Sequence, residues 1–352
     1  MDKNETTTLN VARFVMMLAV LFLHCYTSVQ MYQDIVSLPV YARLTRVLSW
    51  QFGELGVPTF FVISGYLFFN GYQQTLECYI SKIKRRFHSL LIPYVFWTLS
   101  FLILFYIIEY SPMVRSLFNA ERGLVQDYTC SDFLRAFWAE KRTSLPFLIQ
   151  LWYVRNLMIM VAFAPLVYLL IKRLKHYLLF ILGVVWFFGS QWYSEVNTLY
   201  FFFFGAWFSI NGKSLIQTIY PFRWLLLVTF LCFAFFDLVF MYYPVNIWLH
   251  RAVLMLGSPV ALTVIYWMVK KGYVCDIKFL SASSFFVYVA HDPMLRFIRK
   301  FSLKFLNHQS EVQMILDYFA SIALDLLILY GVYWLLSKYT PKFLSIISGG
   351  RG

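Results

Sequence analysis

The run RFVMMLAVLFLH, from Arg13 to His24, sets two ionisable side chains at the ends of ten apolar residues. Eleven helical steps of about 100° and 1.5 Å bring Arg13 and His24 to within about 20° of one face, about 16 Å apart along the axis. A guanidinium is a permanent cation, whereas an imidazole changes charge near neutral pH and can accept a proton. In hydrocarbon both are costly, so such a stripe faces a bundle interior or a water-filled cavity. The same spacing also admits a plainer arrangement. Arg13 would snorkel to the headgroups and His24 would satisfy a buried hydrogen bond, and the residues by themselves favour neither.

Three other stretches bear on chemistry. YISKIKRRFHSLLIPYVFW packs four cations between Lys82 and Arg86 beside His88, which marks a topology signal or a seat for a phosphorylated ligand, since guanidinium binds phosphate bidentately. GELGVPTFFVISGYLFFNGY places Gly53, Gly56, Ser64 and Gly65 on an otherwise bulky helix. It reads as a close-packing face, and Ser64, with no GxSxG elbow around it, reads as a packing residue. Cys25 follows His24 but points about 100° away from it. The five cysteines, Cys25, Cys78, Cys130, Cys232 and Cys275, have no CxxC or zinc spacing, so neither a metal site nor a disulfide framework is expected.

The elements that must carry these residues are membrane helices. Of 352 residues, 61% are hydrophobic and only 13% charged, which excludes an ordinary soluble domain. Ten apolar runs predict an all-α, polytopic helical bundle with spans near 9–27, 54–72, 89–109, 151–171, 177–193, 197–211, 222–243, 247–269, 279–297 and 314–337. The segments around 177–211 are short, and fusing them would leave nine. No cleavable leader is expected. One membrane domain is read over 1–340, with an outer loop at about 110–150 and a short tail at 341–352.

The net charge of +13 comes from Lys and Arg in short links such as SKIKRRFH and KRLKH, so it reports orientation and argues against nucleic acid. Those links are expected in the cytoplasm with both termini. The outer loop, with Arg115, Arg122, Arg135, Lys141 and Arg142, is long enough to translocate regardless of charge. Arg296, Arg299, Lys300 and Lys304 fit the orientation poorly and suggest an extracytoplasmic basic vestibule. Asp237, Asp317, Asp325, His250 and Arg251 lie within or near spans, where ion pairs or cavity walls are the default.

The blocks LNVARFVMMLAVLFLHCY, FFVISGYLFF, KRRFHSLLIPYVFW, LWYVRNLMIM, FFFFGAW and SASSFFVYVAHDPML follow one another in an order that resembles the membrane acyltransferase-3 family, which includes glycan O-acetyltransferases. The resemblance covers nearly the whole chain, and its most specific element is Arg13-x10-His24. It implies an enzyme of the bacterial inner membrane that takes an acyl group, usually acetyl from cytoplasmic acetyl-CoA, to a hydroxyl of a surface glycan or lipid-linked oligosaccharide. Arg13 would hold the CoA phosphates or pantetheine, with Lys82, Arg85 and Arg86 as further cations at the donor entrance.

His24 would then meet the thioester as general base, or form an acyl-histidine, and these two remain open. Trp152 and Arg155 in LWYVRNL suit a carbohydrate or lipid phosphate, or an interfacial anchor. His291 matches a family histidine. It reads first as a hydrogen-bonded structural residue and second as an acid or base, and Asp292 and Pro293 beside it predict a helix interruption at a cavity. Some members carry an appended esterase-like domain, which this sequence is not expected to hold. O-succinyl transfer is the rival within the enzyme class. A glycan or solute transporter is the rival outside it, although the matched halves common there are not visible.

Overall fold

A computed structural model of the chain describes residues 1–26, 39–112, 123–141, 143–189, 194–275, 277–305 and 310–350. Arg115, Arg122 and Arg142 of the outer loop lie outside the described residues, as does the end of the 177–193 run. Among the described residues all regular structure is helical and no strand occurs.

The chain forms two compact units. The first comprises Met1–Ile83 with Ile159–Ser284, the second Lys84–Met158 with Phe285–Gly352. In the first unit lie α1 (Lys3–Cys25), α2 (Pro39–Thr45), a π-helical stretch Arg46–Phe52 and α3 (Gly56–Phe69). The helix α4 (Leu76–Arg86) runs from the first unit into the second, where α5 (Ile92–Ile108) and the short α6 (Cys130–Ala136) follow. Next, α7 (Trp152–Ala162) leads back to the first unit, which holds α8 (Ala164–Phe188), α9 (Ser194–Ile210), α10 (Leu215–Ile219), α11 (Arg223–Val239) and α12 (Asn246–Lys270). The second unit closes with most of α13 (Lys278–Phe305), then α14 (Glu311–Tyr339) and α15 (Pro341–Ile347).

The described parts of the ten apolar runs are largely helical, but ten independent spans are not found among the described residues. Six described helical stretches are long and apolar enough to cross a membrane, and seven if the bent pair Ile149–Ala162 and Ala164–Phe188 counts as one span. The difference is geometric. At 1.5 Å per residue the 17 residues of α9 reach about 26 Å, short of the roughly 30 Å hydrocarbon core. The second half of α13 carries Arg296, Arg299, Lys300 and Lys304. The basic link KRLKH is no loop but a kink inside α8, where Lys175 takes φ 52° and ψ −131°. The expected tail is also partly built in. Leu344 and Ile347 of α15 are buried, and Trp97 Nε1 donates to the Ile347 carbonyl at 3.0 Å.

Small residues set the helix contacts of the first unit, as the Gly-rich stretch predicts. A Cβ on Gly65 would strike the Phe202 carbonyl oxygen, and one on Gly205 the Val62 carbonyl oxygen, so α3 and α9 meet backbone to backbone. Gly53 and Gly56 do the same for α1, lying against the Ala19 and Met16 carbonyl oxygens. At its other end, α1 is capped by Asp2, whose Oδ1 accepts from Glu5 N at 2.7 Å. The buried Glu5 carboxylate accepts from Tyr66 Oη and Ser214 Oγ, each at 2.8 Å, and ties α1 to α3 and α10. The helix that bears Arg13 and His24 is thereby held at both ends.

Gly205→Ala is expected to lower the thermal midpoint of the detergent-solubilised protein, in line with an overpacking cost of about 1–3 kcal/mol. Gly331→Ala, whose Cβ would meet nothing within 4 Å, serves as control. Equal midpoints for the two variants would contradict the backbone contact.

Candidate active site

Within the first unit, α1 presents Arg13 and His24, both half-buried, on the face their spacing predicts. Arg13 Nη1 donates to Asn10 Oδ1 at 3.2 Å, which steers the guanidinium back along the helix. Cys25 has no exposed surface, unlike His24, so the two adjacent side chains have different surroundings. The helix is fixed next to His24 by the approach of Gly53 to Ala19 and Leu23 and by Phe22 packing edge-on to Phe52 at 6.0 Å.

The residues of the basic cluster have different surroundings. Lys82 Nζ donates to the Phe68 and Asn70 carbonyl oxygens at 2.6 and 3.0 Å, capping the end of α3 where helical carbonyls lack partners. Arg85 is exposed and Arg86 half-buried on the last turn of α4, in the second unit. Of the three expected donor contacts, Arg85 is the one left in solvent.

In the second unit Arg155 is 5% exposed, and its guanidinium holds the outer loop. Nη1 donates to the Trp138 carbonyl at 2.8 Å, Nε to Asn156 Oδ1 at 3.0 Å, and the group lies over the Trp138 ring. Tyr94 Oη donates to the neighbouring Phe137 carbonyl. The Arg155 contacts tie α7 to the segment around Trp138. Trp152 is half-buried at the start of α7. Further along the loop, Thr129 and Asp132 form a capping box for α6. The Lys141 ammonium, 2.7 Å from Asp132, and then Thr129 hold the Asp132 carboxyl well below the usual carboxylate range. That support is full above the ordinary carboxylate pKa and is lost as pH falls through the depressed one.

His291 is fully buried on α13, its Nδ1 2.7 Å from the Tyr288 carbonyl oxygen. A carbonyl can only accept, so Nδ1 carries the proton and a neutral ring keeps its lone pair on Nε2. The predicted interruption at Asp292 and Pro293 does not occur, and α13 runs through Pro293 unbroken. A proline leaves the carbonyl four residues earlier without its helical donor, here that of Val289. Gln150 Nε2 donates to it at 2.9 Å, while Tyr288 Oη donates to the Gln150 carbonyl. Gln150 therefore replaces the missing bond. Sequence reading missed it, and the only signal was a polar residue entering an apolar run.

Of the four cations expected to form a basic vestibule, Arg296 and Arg299 have carboxylate partners. Arg296 Nε lies 2.7 Å from Asp292, and Arg299, 1% exposed, pairs with Asp317, which also accepts from Ser302. These arginines are neutralised inside the unit. Asp325 departs from the ion-pair default. It is fully buried, and neither carboxyl oxygen has a hydrogen-bond partner among the described residues.

An acyltransferase-domain family model matches residues 7–334. The chain belongs to the acyltransferase-3 family. It is thus a multi-pass membrane enzyme, an O-acyltransferase. Over 368 aligned residues it is 23% identical to the succinoglycan biosynthesis protein ExoH of Rhizobium meliloti (strain 1021), with 100% of this chain and 94% of that protein covered. No solved structure matches. For this acyltransferase-3 chain, the Arg-x10-His pair lies in one helix of the first unit, and the buried histidine of α13 lies in the second.

Gln150→Leu should destabilise the acyltransferase by about 1–3 kcal/mol, because the Val289 carbonyl loses its donor. Adding Pro293→Ala, which restores a backbone N–H to that carbonyl, should recover most of the loss in thermal unfolding. Additive losses would sink the assignment.

Proposed function

We propose that the protein moves an acyl group, acetyl from cytoplasmic acetyl-CoA, to a hydroxyl of an extracytoplasmic or lipid-linked glycan in a bacterial inner membrane. Both termini would lie in the cytoplasm, and His24 would be the general base. The observation that carries this reading is the pair of half-buried groups, Arg13 and His24, on one face of α1. Their separation of about 16 Å suits an extended pantetheine arm reaching from one membrane surface inward. The name of ExoH, a succinoglycan biosynthesis protein, supports a glycan as acceptor.

In the reaction, neutral His24 takes the proton of a sugar hydroxyl as its oxygen attacks the thioester carbonyl. The tetrahedral intermediate collapses, the C–S bond breaks, and the imidazolium returns its proton to the departing thiolate. The products are the sugar ester and free CoA, with His24 neutral again. Arg13 holds the donor's anionic part nearer the start of α1. Arg85, exposed on α4, is the better-placed partner for phosphates, since Lys82 serves the end of α3. Arg155 and His291 act as positioning residues, the first for the outer loop and the second for α13, and Trp152 remains a ring for the acceptor to rest against.

The test supplies radiolabelled acetyl-CoA, and separately succinyl-CoA, to membranes containing the protein and follows label into extracted glycan. His24→Ala should lower transfer by about 10²–10⁴-fold, Arg13→Ala should raise the donor KM, and Cys25→Ala should keep activity near wild type. Undiminished transfer by His24→Ala would remove the base assignment. Label from succinyl-CoA alone would change the donor. No label from either, with solute uptake that needs the protein, would favour a transporter.

A further inference from the structure

The first unit contains a cavity of about 830 Å³ that the transfer chemistry above leaves unused. It opens where α8 ends and α12 begins, and Trp50 in its wall packs edge-on to Tyr26 at 6.3 Å. Tyr26 directly follows α1, so the cavity lies at the His24 end of that helix, away from Arg13.

Its walls mix ring surface with fixed polar groups. Trp50, Trp186 and Tyr242 supply the rings, and Glu54, Asn197 and Asn246 supply amide and carboxylate atoms. The polar groups are held in place from behind. Asn246 Nδ2 donates to Asp237 Oδ1 at 2.7 Å and its Oδ1 accepts from Arg46 at 2.6 Å, while Glu54 lies 3.0 Å from His250 Nε2. Asn197 accepts from the Trp186 ring N–H. Apolar faces beside a few fixed donors and acceptors, in a volume of this order, describe a small-molecule pocket. The chemistry suits a saccharide, whose C–H faces lie on aromatic rings and whose hydroxyls match amides and carboxylates.

The charges of the wall refine the ligand. Arg46 is neutralised by Asp237 at 2.7 Å, and His250 stands between Glu54 and Asp237. Arg251 differs. It lines the cavity, is 9% exposed, donates to the Phe187 carbonyl and lies over the Trp248 ring, yet it has no carboxylate partner among the described residues. A guanidinium withdrawn from water without a counter-charge is costly, and a ligand anion would relieve that cost.

We propose that this cavity is the acceptor subsite and that it selects a saccharide bearing a carboxylate, which pairs with Arg251 while the sugar rings lie against Trp50, Trp186 and Tyr242. The label "acceptor" rests on the acyl-transfer reading. The binding site itself does not.

The full chain in phosphatidylcholine nanodiscs, without any acyl-CoA, would be titrated by tryptophan fluorescence with cellotriose and with a glucose trisaccharide in which one residue is oxidised to glucuronate. Wild type should bind the acidic trisaccharide at least tenfold more tightly. Arg251→Gln should abolish that margin while keeping neutral binding, Arg251→Lys should retain part of it, and Tyr242→Ala should weaken both ligands. Equal binding of the two trisaccharides by wild type would overturn the proposal without any variant needing to fold. So would an unchanged margin in Arg251→Gln. A fluorescence change that follows replacement of phosphatidylcholine by phosphatidylglycerol and ignores both sugars would assign Arg251 to lipid phosphate and overturn it too. Donor use measured separately in membranes distinguishes the two ideas: label transfer with no acidic preference sinks only the subsite, and acidic preference with no use of acyl-CoA sinks only the proposed acyl-CoA donor.

Discussion

Asp237 is wholly out of solvent on α11, and its carboxylate is held by Arg46, Gln51, Asn246 and His250. A carboxylate withdrawn from water persists as a charge only if the chain itself supplies the donors. Those donors come from the π-helical stretch and from α12, and this one carboxylate joins three segments of the first unit. It also orients Arg46, Asn246 and His250 in the cavity wall. Removing one partner of such a buried pair costs about 3–5 kcal/mol in general, because the other is left uncompensated. The same demand explains Glu5 at the other end of the unit and Gln150 beneath the proline of α13.

Apolar packing adds little specificity between helices in lipid, since the tails are as apolar as leucine. Contact is set instead by where backbones can touch. Gly65 with Gly205, and Gly53 with Gly56 against α1, bring main chains together at positions that a single methyl would separate. The face carrying Arg13 and His24 is oriented by these contacts, so the reactive stripe depends on residues that have no chemistry of their own.

Much of this was legible beforehand. Among the described residues each apolar run is largely helical, because hydrophobicity over about twenty residues is a strong local signal. The Arg13 and His24 face followed from helical geometry, and the glycine-rich face of α3 from residue size. Other features were misread for identifiable reasons. Pro293 suggested a break because proline lacks a donor, but Gln150, far away in sequence, serves the exposed carbonyl. Of the cations between 296 and 304, Arg296 and Arg299 have partners in Asp292 and Asp317 that a sum of charge along the chain does not count against them.

Composition and spacing within single elements set the helical class, the membrane setting and the stripe on α1, and the order of blocks along the whole chain carried the likeness to the family. Tertiary contacts alone showed that Lys82 caps a helix, that Arg155 holds the outer loop, that Asp237 gathers its donors and that Arg251 borders a cavity with no acidic partner among the described residues. The physical reason is common to all four. Whether a charge binds a ligand or serves the scaffold depends on which donors and acceptors lie within about 3 Å of it, and residues far apart in the chain supply them.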